Sequence, residues 1–391
     1  MNKMTDAKKH TVADIKTILA DRGLDGSGRD IWTKRLGEIT EDEVKWALSR
    51  KPGYYILDRL LMLISPAAEN YIEQMAQIAH QLTLQRFGRT VRLYAPMYLS
   101  NLCVNDCVYC GFNKSHKFPR IRLTIEQALA EAETIAKEGF KDLLLVSSED
   151  KNFITVDYLV ELASKLRPKF SSLSVEIYQM SADEYAKLFT AGIEGVTLYQ
   201  ETYDRETYRK YHPAGPKAHY GYRLSAADSF GQAGMREIGL GALLGLDDWR
   251  LETLALAEHA HYLMKRYWKS RVSFSFPRLR PAKDVDSAQF NLLSDKNLVQ
   301  MILALRLCFA DAGMTISTRE SAQLRDQLVK LGITRMSAGS KTNPGGYSTH
   351  TDSVGQFDID DSRSPAQIAA MLKSQGLEPV WKDWDIAFTE T

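Results

Sequence analysis

The fold class this chain predicts is a (β/α)8 barrel preceded by helices, and three observations predict it. Eight β-branched, aromatic or apolar runs occur from residue 90 onward, spaced so that a helix fits between neighbours. Several of the intervening segments begin at Ser or Thr and end at Gly, with apolar residues three and four apart, which is helix periodicity with capping chemistry at both ends. The whole alternation fills about 250 residues, the usual size of such a barrel. A doubly wound open sheet satisfies the same alternation with slightly different strand numbers and is the competing architecture.

Element by element, residues 1–85 read as a helical region. "TEDEVKWALSRK" (40–51) has a Thr start and a basic end. "SPAAENYIEQMAQIAHQLTLQRFG" (65–88) has a Ser-Pro start and Gly88 as a stop. The barrel is expected over 86–345. Its strand candidates are "TVRLYAPMYLS" (90–100), "DLLLVSS" (142–148), "LSVEIYQM" (173–180), "GVTLYQE" (195–201), "EIGLGALLGL" (237–246), "RVSFSFPRLR" (271–280), "MTISTRE" (314–320) and "ITRMSAGS" (333–340). Helical patterns between them include "TIEQALAEAETIAKEG", "SADEYAKLFTAG" and "SDKNLVQMILALRLCFADAG". Residues 346–391 read as an extension packed on the barrel: a polar stretch, a helix from Pro365, and "WKDWD" (381–385) as an anchor over the barrel.

Composition narrows the function classes. The 391 residues are 44% hydrophobic and 25% charged, with 50 Lys+Arg against 49 Asp+Glu. Such balance gives no electrostatic footprint for nucleic acid or an anionic membrane. The N-terminus lacks the apolar run of a signal peptide, and no stretch is apolar for the ~18 residues a membrane span needs. Four cysteines are too few for a disulfide framework. A reducing, cytoplasmic setting is the expectation.

Three of those cysteines, Cys103, Cys107 and Cys110, fall in "LSNLCVNDCVYCGFNK" with C-x3-C-x2-C spacing. They follow the first strand directly, and active sites of such barrels lie where strands end. Thiolates this close can converge on a metal centre. One form is a zinc site with His116 as fourth ligand, although structural zinc motifs usually present two separated pairs. Another is a [4Fe–4S] cluster on three thiolates, which would leave one iron open to a ligand. A disulfide or a set of inert buried thiols also fits the residue types. Cys308 sits on the apolar stripe of a helix and reads as a small core residue.

The same spacing, with Tyr109 before the last cysteine, resembles the signature of the radical S-adenosylmethionine superfamily. Further along, "YLSNLCVNDCVYCGF", "YQETY", "GLGALLGL", "SFPRLRP", "STRES", "SKTNPGGY" and "VWKDWD" together resemble the 2-iminoacetate synthase family, from about residue 65 to the C-terminus. The resemblance implies a [4Fe–4S] cluster on Cys103, Cys107 and Cys110 and S-adenosylmethionine as cofactors. It implies cofactor contacts at Tyr109, at Glu149 (in a degenerate "SSE" where the superfamily has Gly-Gly-Glu), at Glu201 and at Arg223. It implies a glycine-rich fifth strand along which adenine would approach the backbone. Substrate contacts fall to Ser317 and Arg319, which share a face if the seventh strand is regular, and to Tyr98 and Ser100 before the cysteine loop. Arg278 and Arg280 are secondary cations near the mouth, and Glu320 is a possible internal partner for Arg319.

The implied activity is cleavage of the Cα–Cβ bond of L-tyrosine to 2-iminoacetate and 4-cresol, with methionine and 5′-deoxyadenosine as co-products, for thiazole (thiamin) biosynthesis. The implied partners are a thiazole synthase subunit and a one-electron donor such as flavodoxin or ferredoxin. Two alternatives accompany it. One is the related tyrosine lyase of hydrogenase maturation, which carries a second cluster on a C-terminal cysteine motif; this sequence has no cysteine after Cys308. The other is a non-catalytic metal-binding scaffold.

Overall fold

The structure is a computed structural model that describes residues 13–349 and 352–382. Eight parallel strands form its centre: β1 (Thr90–Ser100), β2 (Asp142–Ser147), β3 (Ser172–Glu176), β4 (Gly195–Thr197), β5 (Glu237–Gly241), β6 (Arg271–Ser275), β7 (Gly313–Ile316) and β8 (Arg335–Ser337). Each pairs with the next, and β1 pairs with both β8 and β2, so the sheet closes on itself. Closure settles the architecture as a (β/α)8 barrel and removes the open-sheet alternative. A short ninth strand, β9 (Glu378–Val380), adds to the start of β1 at Thr90–Arg92, which the sequence pattern did not suggest.

Several strands are shorter than their apolar runs. The run 195–201 yields only Gly195–Thr197, and 314–320 yields only Gly313–Ile316. A tilted barrel strand is paired only while both neighbours run beside it. Past that point the apolar run continues as buried loop.

Alternation places Leu93, Ala95 and Met97 of β1, Leu143 and Leu145 of β2, and Leu173 and Val175 of β3 in the large core beneath the helices. The opposite faces carry Tyr94, Tyr98, Leu144 and Val146, which form a separate cluster that Cys103 and Cys110 join. At the base of the barrel, Arg92 and Arg335 each lie 2.8 Å from Asp142, and Arg92 and Arg271 lie 3.0 and 2.9 Å from Glu237. The Arg92–Asp142 contact is an ion pair without hydrogen-bond alignment.

The N-terminal helices form as their caps dictate. Thr40 and Glu43 make a reciprocal capping box at the head of the helix Glu41–Ser49. The Ser-Pro start opens as a 3₁₀ turn, Ala67–Tyr71, before the helix Ile72–Phe87, which Gly88 ends at φ 63°. These helices pack on the barrel helices Trp249–Arg266 and Asp295–Cys308. Arg59, fully buried there, donates to the carbonyls of Ala47, Tyr54 and Leu307.

The C-terminal extension is tied down by the fully buried pair Arg325–Asp361 and by Arg363 between Asp326 and Asp361. Its helix Pro365–Ser374 has a capping box at Ser364. Trp381 of the expected anchor packs edge-on to Phe140, with centroids 5.3 Å apart. The rest of that anchor, Asp383 to Asp385, lies outside the described residues.

Candidate active site

Two cavities lie end to end at the C-terminal mouth of the barrel. The outer one encloses ≈ 960 Å³, partly open to solvent, and is lined by Cys103, Cys107, Cys110, Tyr109, Glu149, Glu201, Lys217, Arg223 and Gln356, among others. The inner one spans ≈ 560 Å³, solvent-open space included, between Tyr94, Tyr98, Leu144, Thr315, Ser317 and Ser337. Glu176, Tyr199, Arg319 and Phe357 line both.

The cysteine loop is held on three sides. Arg120 donates to the carbonyls of Asn101, Phe112 and His116 from below. Asn105 gives its amide to Glu149 at 2.7 Å and receives the Lys217 backbone N–H at 2.9 Å, joining three segments far apart in sequence. Gly111 donates its N–H to the Gln356 carbonyl at 3.1 Å, and a Cβ at 111 would crowd that oxygen and the Gly355 carbonyl at 2.8 and 2.9 Å. All four cysteines are free thiols. Burial pushes the Cys107 thiol up to about 12 and the Cys110 thiol up to about 11, so these two hold their protons at neutral pH. Among the described residues no three His, Cys, Asp or Glu side chains converge on a single ion. His116 instead turns its Nδ1 to the Gly111 carbonyl, 3.2 Å away.

The other expected residues fall as follows. Glu201 has φ 72°, in the left-handed region that a non-glycine residue occupies only under constraint. Its carboxylate is 2.5 Å from Lys217 Nζ and 3.5 Å from Arg223. Burial alone would raise it, but the two cations outweigh burial and hold it below the ordinary carboxylate range. Arg223 is no surface charge: it is 11% exposed and also donates to the Tyr199 carbonyl at 2.8 Å. Tyr109 donates or accepts at His212 Nε2, 2.8 Å away. Burial drops that histidine to about 3, so the ring is neutral.

Tyr98 gives its hydroxyl to Gln356 Oε1 at 2.8 Å. Ser317 and Arg319 both face the inner cavity, but not as strand neighbours: β7 ends at Ile316, and Arg319 sits in the turn beyond. Its guanidinium lies 3.3 Å from the Phe357 ring centroid and donates to the Arg278 carbonyl.

Three expectations are corrected. Ser100 does not line either cavity; its hydroxyl donates to the buried Asp150 at 2.9 Å. Glu320 partners Arg278, at 2.9 Å from its Nε, and leaves Arg319 alone; Asp295 takes the remaining Arg278 amine. Arg278 is therefore spoken for within the protein, whereas Arg280, 3.0 Å from Asp360, still borders the outer cavity. Finally, Gly239 and Gly241 do not clear space for a ligand. A Cβ at Gly239 would overlap Thr197, and one at Gly241 would overlap the Tyr199 ring, so these glycines seat the side chains of β4 and the loop after it.

Lys217, Asn105, Gln356 and Phe357 were not anticipated. They lie in irregular segments without periodicity, and only their distant neighbours give them meaning.

Comparison with known proteins adds the following. The Radical SAM superfamily model matches residues 97–257, and that of the Biotin and Thiamin Synthesis associated domain matches 275–378. The chain is 46% identical to the 2-iminoacetate synthase of Escherichia coli K12 over 84% of this chain and 87% of that protein. It is 46% identical to that of Salmonella typhimurium LT2 over 90% and 93%. The solved structure of the FeFe-hydrogenase maturase HydG from Carboxydothermus hydrogenoformans superimposes with a TM-score of 0.81 at 29% identity, covering 95% of this chain and 86% of that one. Neither family model bears on the ion pairs or cavities, which the structure supplies. Together, the cysteine-lined mouth and near-full-length identity to two curated enzymes lead to one assignment: the chain belongs to the 2-iminoacetate synthase family of radical S-adenosylmethionine enzymes.

Proposed function

We infer that this protein is a carbon–carbon lyase that cleaves the Cα–Cβ bond of L-tyrosine to 2-iminoacetate and 4-cresol, using S-adenosylmethionine and a [4Fe–4S] cluster. The observation that carries this beyond family membership is the junction of the two cavities: three thiols wall the outer one, and Arg319, which has no carboxylate partner among the described residues, faces the inner one. Three thiols that share a wall suit a cluster, whose thiolates bind separate irons.

Cys103, Cys107 and Cys110 would hold that cluster, and taking up metal would displace the protons that burial keeps on Cys107 and Cys110. Glu149, Glu201, Arg223 and Tyr109 line the space where S-adenosylmethionine would lie. The strained Glu201, fixed by Lys217, offers acceptor oxygens, and Arg223 offers a planar pair of donors for a carboxylate. The cluster and S-adenosylmethionine, when bound and reduced, supply a carbon-centred radical able to remove a hydrogen atom from the substrate amine. The chain supplies placement and a recessed cavity that limits water access. Arg319 and Ser317 would hold the tyrosine carboxylate, and Tyr98 would close the cavity between them and the cysteine loop through Gln356.

A one-electron donor such as flavodoxin or ferredoxin, and a thiazole synthase subunit to receive the hydrolysable imine, complete the reading. Among the described residues no helix is long and apolar enough to cross a membrane. Anaerobic turnover with S-adenosylmethionine, reductant and tyrosine tests the reading: 4-cresol and 5′-deoxyadenosine in matching amounts are expected, and a cluster-loaded enzyme that makes no 4-cresol would refute it.

A further inference from the structure

Glu176 is the carboxylate that the site leaves unmatched. It ends β3 on the same face as Ser174, toward the barrel axis, and it borders both cavities. The other two carboxylates of the outer cavity are engaged: Glu201 by Lys217 and Arg223, Glu149 by Asn105 and Lys151. Among the described residues, none gives the Glu176 carboxylate a hydrogen bond or an ion pair. The groups that face it are Arg319 from the turn after β7, Tyr199 and Glu201 from the segment after β4, Lys217 and Arg223 beyond them, and Tyr94 and Tyr98 from β1. Burial pushes its carboxyl up to about 7, against the pull of Arg319.

This placement matters for an amino-acid substrate. Such a molecule arrives as a zwitterion. With its carboxylate on Arg319, its ammonium would stand in a cavity already bearing Arg319, Arg223 and Lys217, and an unpaired buried cation is costly. The radical step favours a neutral amine as well, because losing a hydrogen atom from an ammonium leaves a buried aminium radical that keeps its positive charge, whereas an amine leaves a neutral aminyl radical.

Resting on the lyase reading above, we propose that Glu176 receives the ammonium proton of the bound amino acid, so that the neutral amine is the hydrogen donor. One N–H bond breaks and its electron pair stays on nitrogen; one O–H bond forms on the Glu176 carboxylate. No electron leaves or enters. The proton passes to solvent when the cavity opens for product release. Tyr199 and Arg319, the other two ionisable residues common to both cavities, cannot serve: burial holds the Tyr199 phenol protonated, and a guanidinium is a donor only.

The test uses the anaerobically reconstituted enzyme with S-adenosylmethionine, reductant and tyrosine between pH 6 and 9.5, scored for 4-cresol and 5′-deoxyadenosine. In the wild type, 4-cresol turnover should fall on acidification through about pH 7. Glu176→Gln should lower it roughly 100-fold at neutral pH and recover toward the alkaline end of that range, where the free amino acid's ammonium, more basic than a chain-terminal amine beside an amide, sheds its own proton. In that variant 5′-deoxyadenosine should outrun 4-cresol, since the radical forms without a competent donor. Glu176→Asp should restore part of the rate together with the acid limb. Iron and sulfide content report whether each variant folds and loads.

A Glu176→Gln enzyme with wild-type rate and profile overturns the proposal. So does one that is slow by the same factor at every pH with a full cluster, which is a purely positional role. If Glu176→Gln does not fold, the wild-type and Glu176→Asp profiles decide, and a flat profile between pH 6 and 8 in both overturns it. A wild type that makes no 4-cresol removes the lyase reading and this inference together; an indifferent Glu176 variant of an active wild type removes the inference alone.

Discussion

At the base of the barrel, Arg92, Arg271 and Arg335 enclose Asp142 and Glu237, and each carboxylate is met by at least two cations. At the mouth, one carboxylate is overmatched at Glu201, another stands alone at Glu176, and Arg319 rests on the ring of Phe357 and a carbonyl. Burial alone would raise Glu237, but Arg92, Arg271 and Arg335 outweigh it and hold it well below the usual carboxylate range. The same burial, without such partners, pushes Glu176 up to about 7. The desolvation is similar at both ends and the pairing is opposite. The closed network is charge used to fix the fold; the open one is charge waiting for a ligand.

Substitutions at the two ends should therefore fail differently. The largest loss is expected from Cys107→Ser at the mouth: iron, acid-labile sulfide and 4-cresol should disappear together, and a variant that still cleaved S-adenosylmethionine would contradict the ligand assignment. At the base, Asp142→Asn strips the common partner of Arg92 and Arg335. Breaking a buried pair costs about 3–5 kcal/mol, so the denaturation midpoint should drop sharply while the folded fraction retains its tyrosine KM. An unchanged midpoint would show that the base network is not what holds the barrel. Arg319→Ala should show the reverse pattern. Loss of one partner of a desolvated charge pair costs about 2–5 kcal/mol, read as a tyrosine KM roughly 30-fold or more higher, with the cluster and midpoint intact.

Glu176→Gln tests the comparison through pH. A carboxyl raised from 4.5 to about 7 by burial binds a proton in the folded state that the unfolded state has released. Its folding cost is absent below the unfolded value, grows between about pH 4.5 and 7, and is full above that. Replacing it with Gln should leave stability at pH 4 unchanged and raise it at pH 8, by at most about 3 kcal/mol at 1.36 kcal/mol per pH unit. A loss of stability at pH 8 would mean that Glu176 has a partner after all. The smallest effect belongs to Cys308→Ser, buried at the end of its helix away from both cavities: about 1 kcal/mol of stability and no change in iron content.

Much of the site was legible in the chain itself. The C-x3-C-x2-C run after the first strand placed the thiols on the mouth, because strand ends are where a barrel opens. Glu149, Glu201 and Arg223 come to that same cavity. Ser317 and Arg319 were placed on the right wall for an incomplete reason, since the ladder ends before them and a turn carries Arg319 round. The glycines of β5 misled, because a missing Cβ marks close approach without saying of what, and here it is Thr197 and Tyr199. Glu176 gave a signal that went unread: a single acid on the inward face of an otherwise uncharged strand.

What the sequence determined alone is what repeats or is local. Period-2 and period-3.6 patterns, helix caps and the spacing of three thiols depend on residues within a turn or two of one another, so they survive without coordinates. Only the tertiary structure decided closure of the sheet, the ninth strand, and which charges find partners. Asn105 meets Glu149 and Lys217, and Gln356 meets Tyr98 and Gly111, across gaps no periodicity encodes. A carboxylate's state is set by what folding brings within a few ångströms of it, and for Glu176 that is burial without a cation in contact.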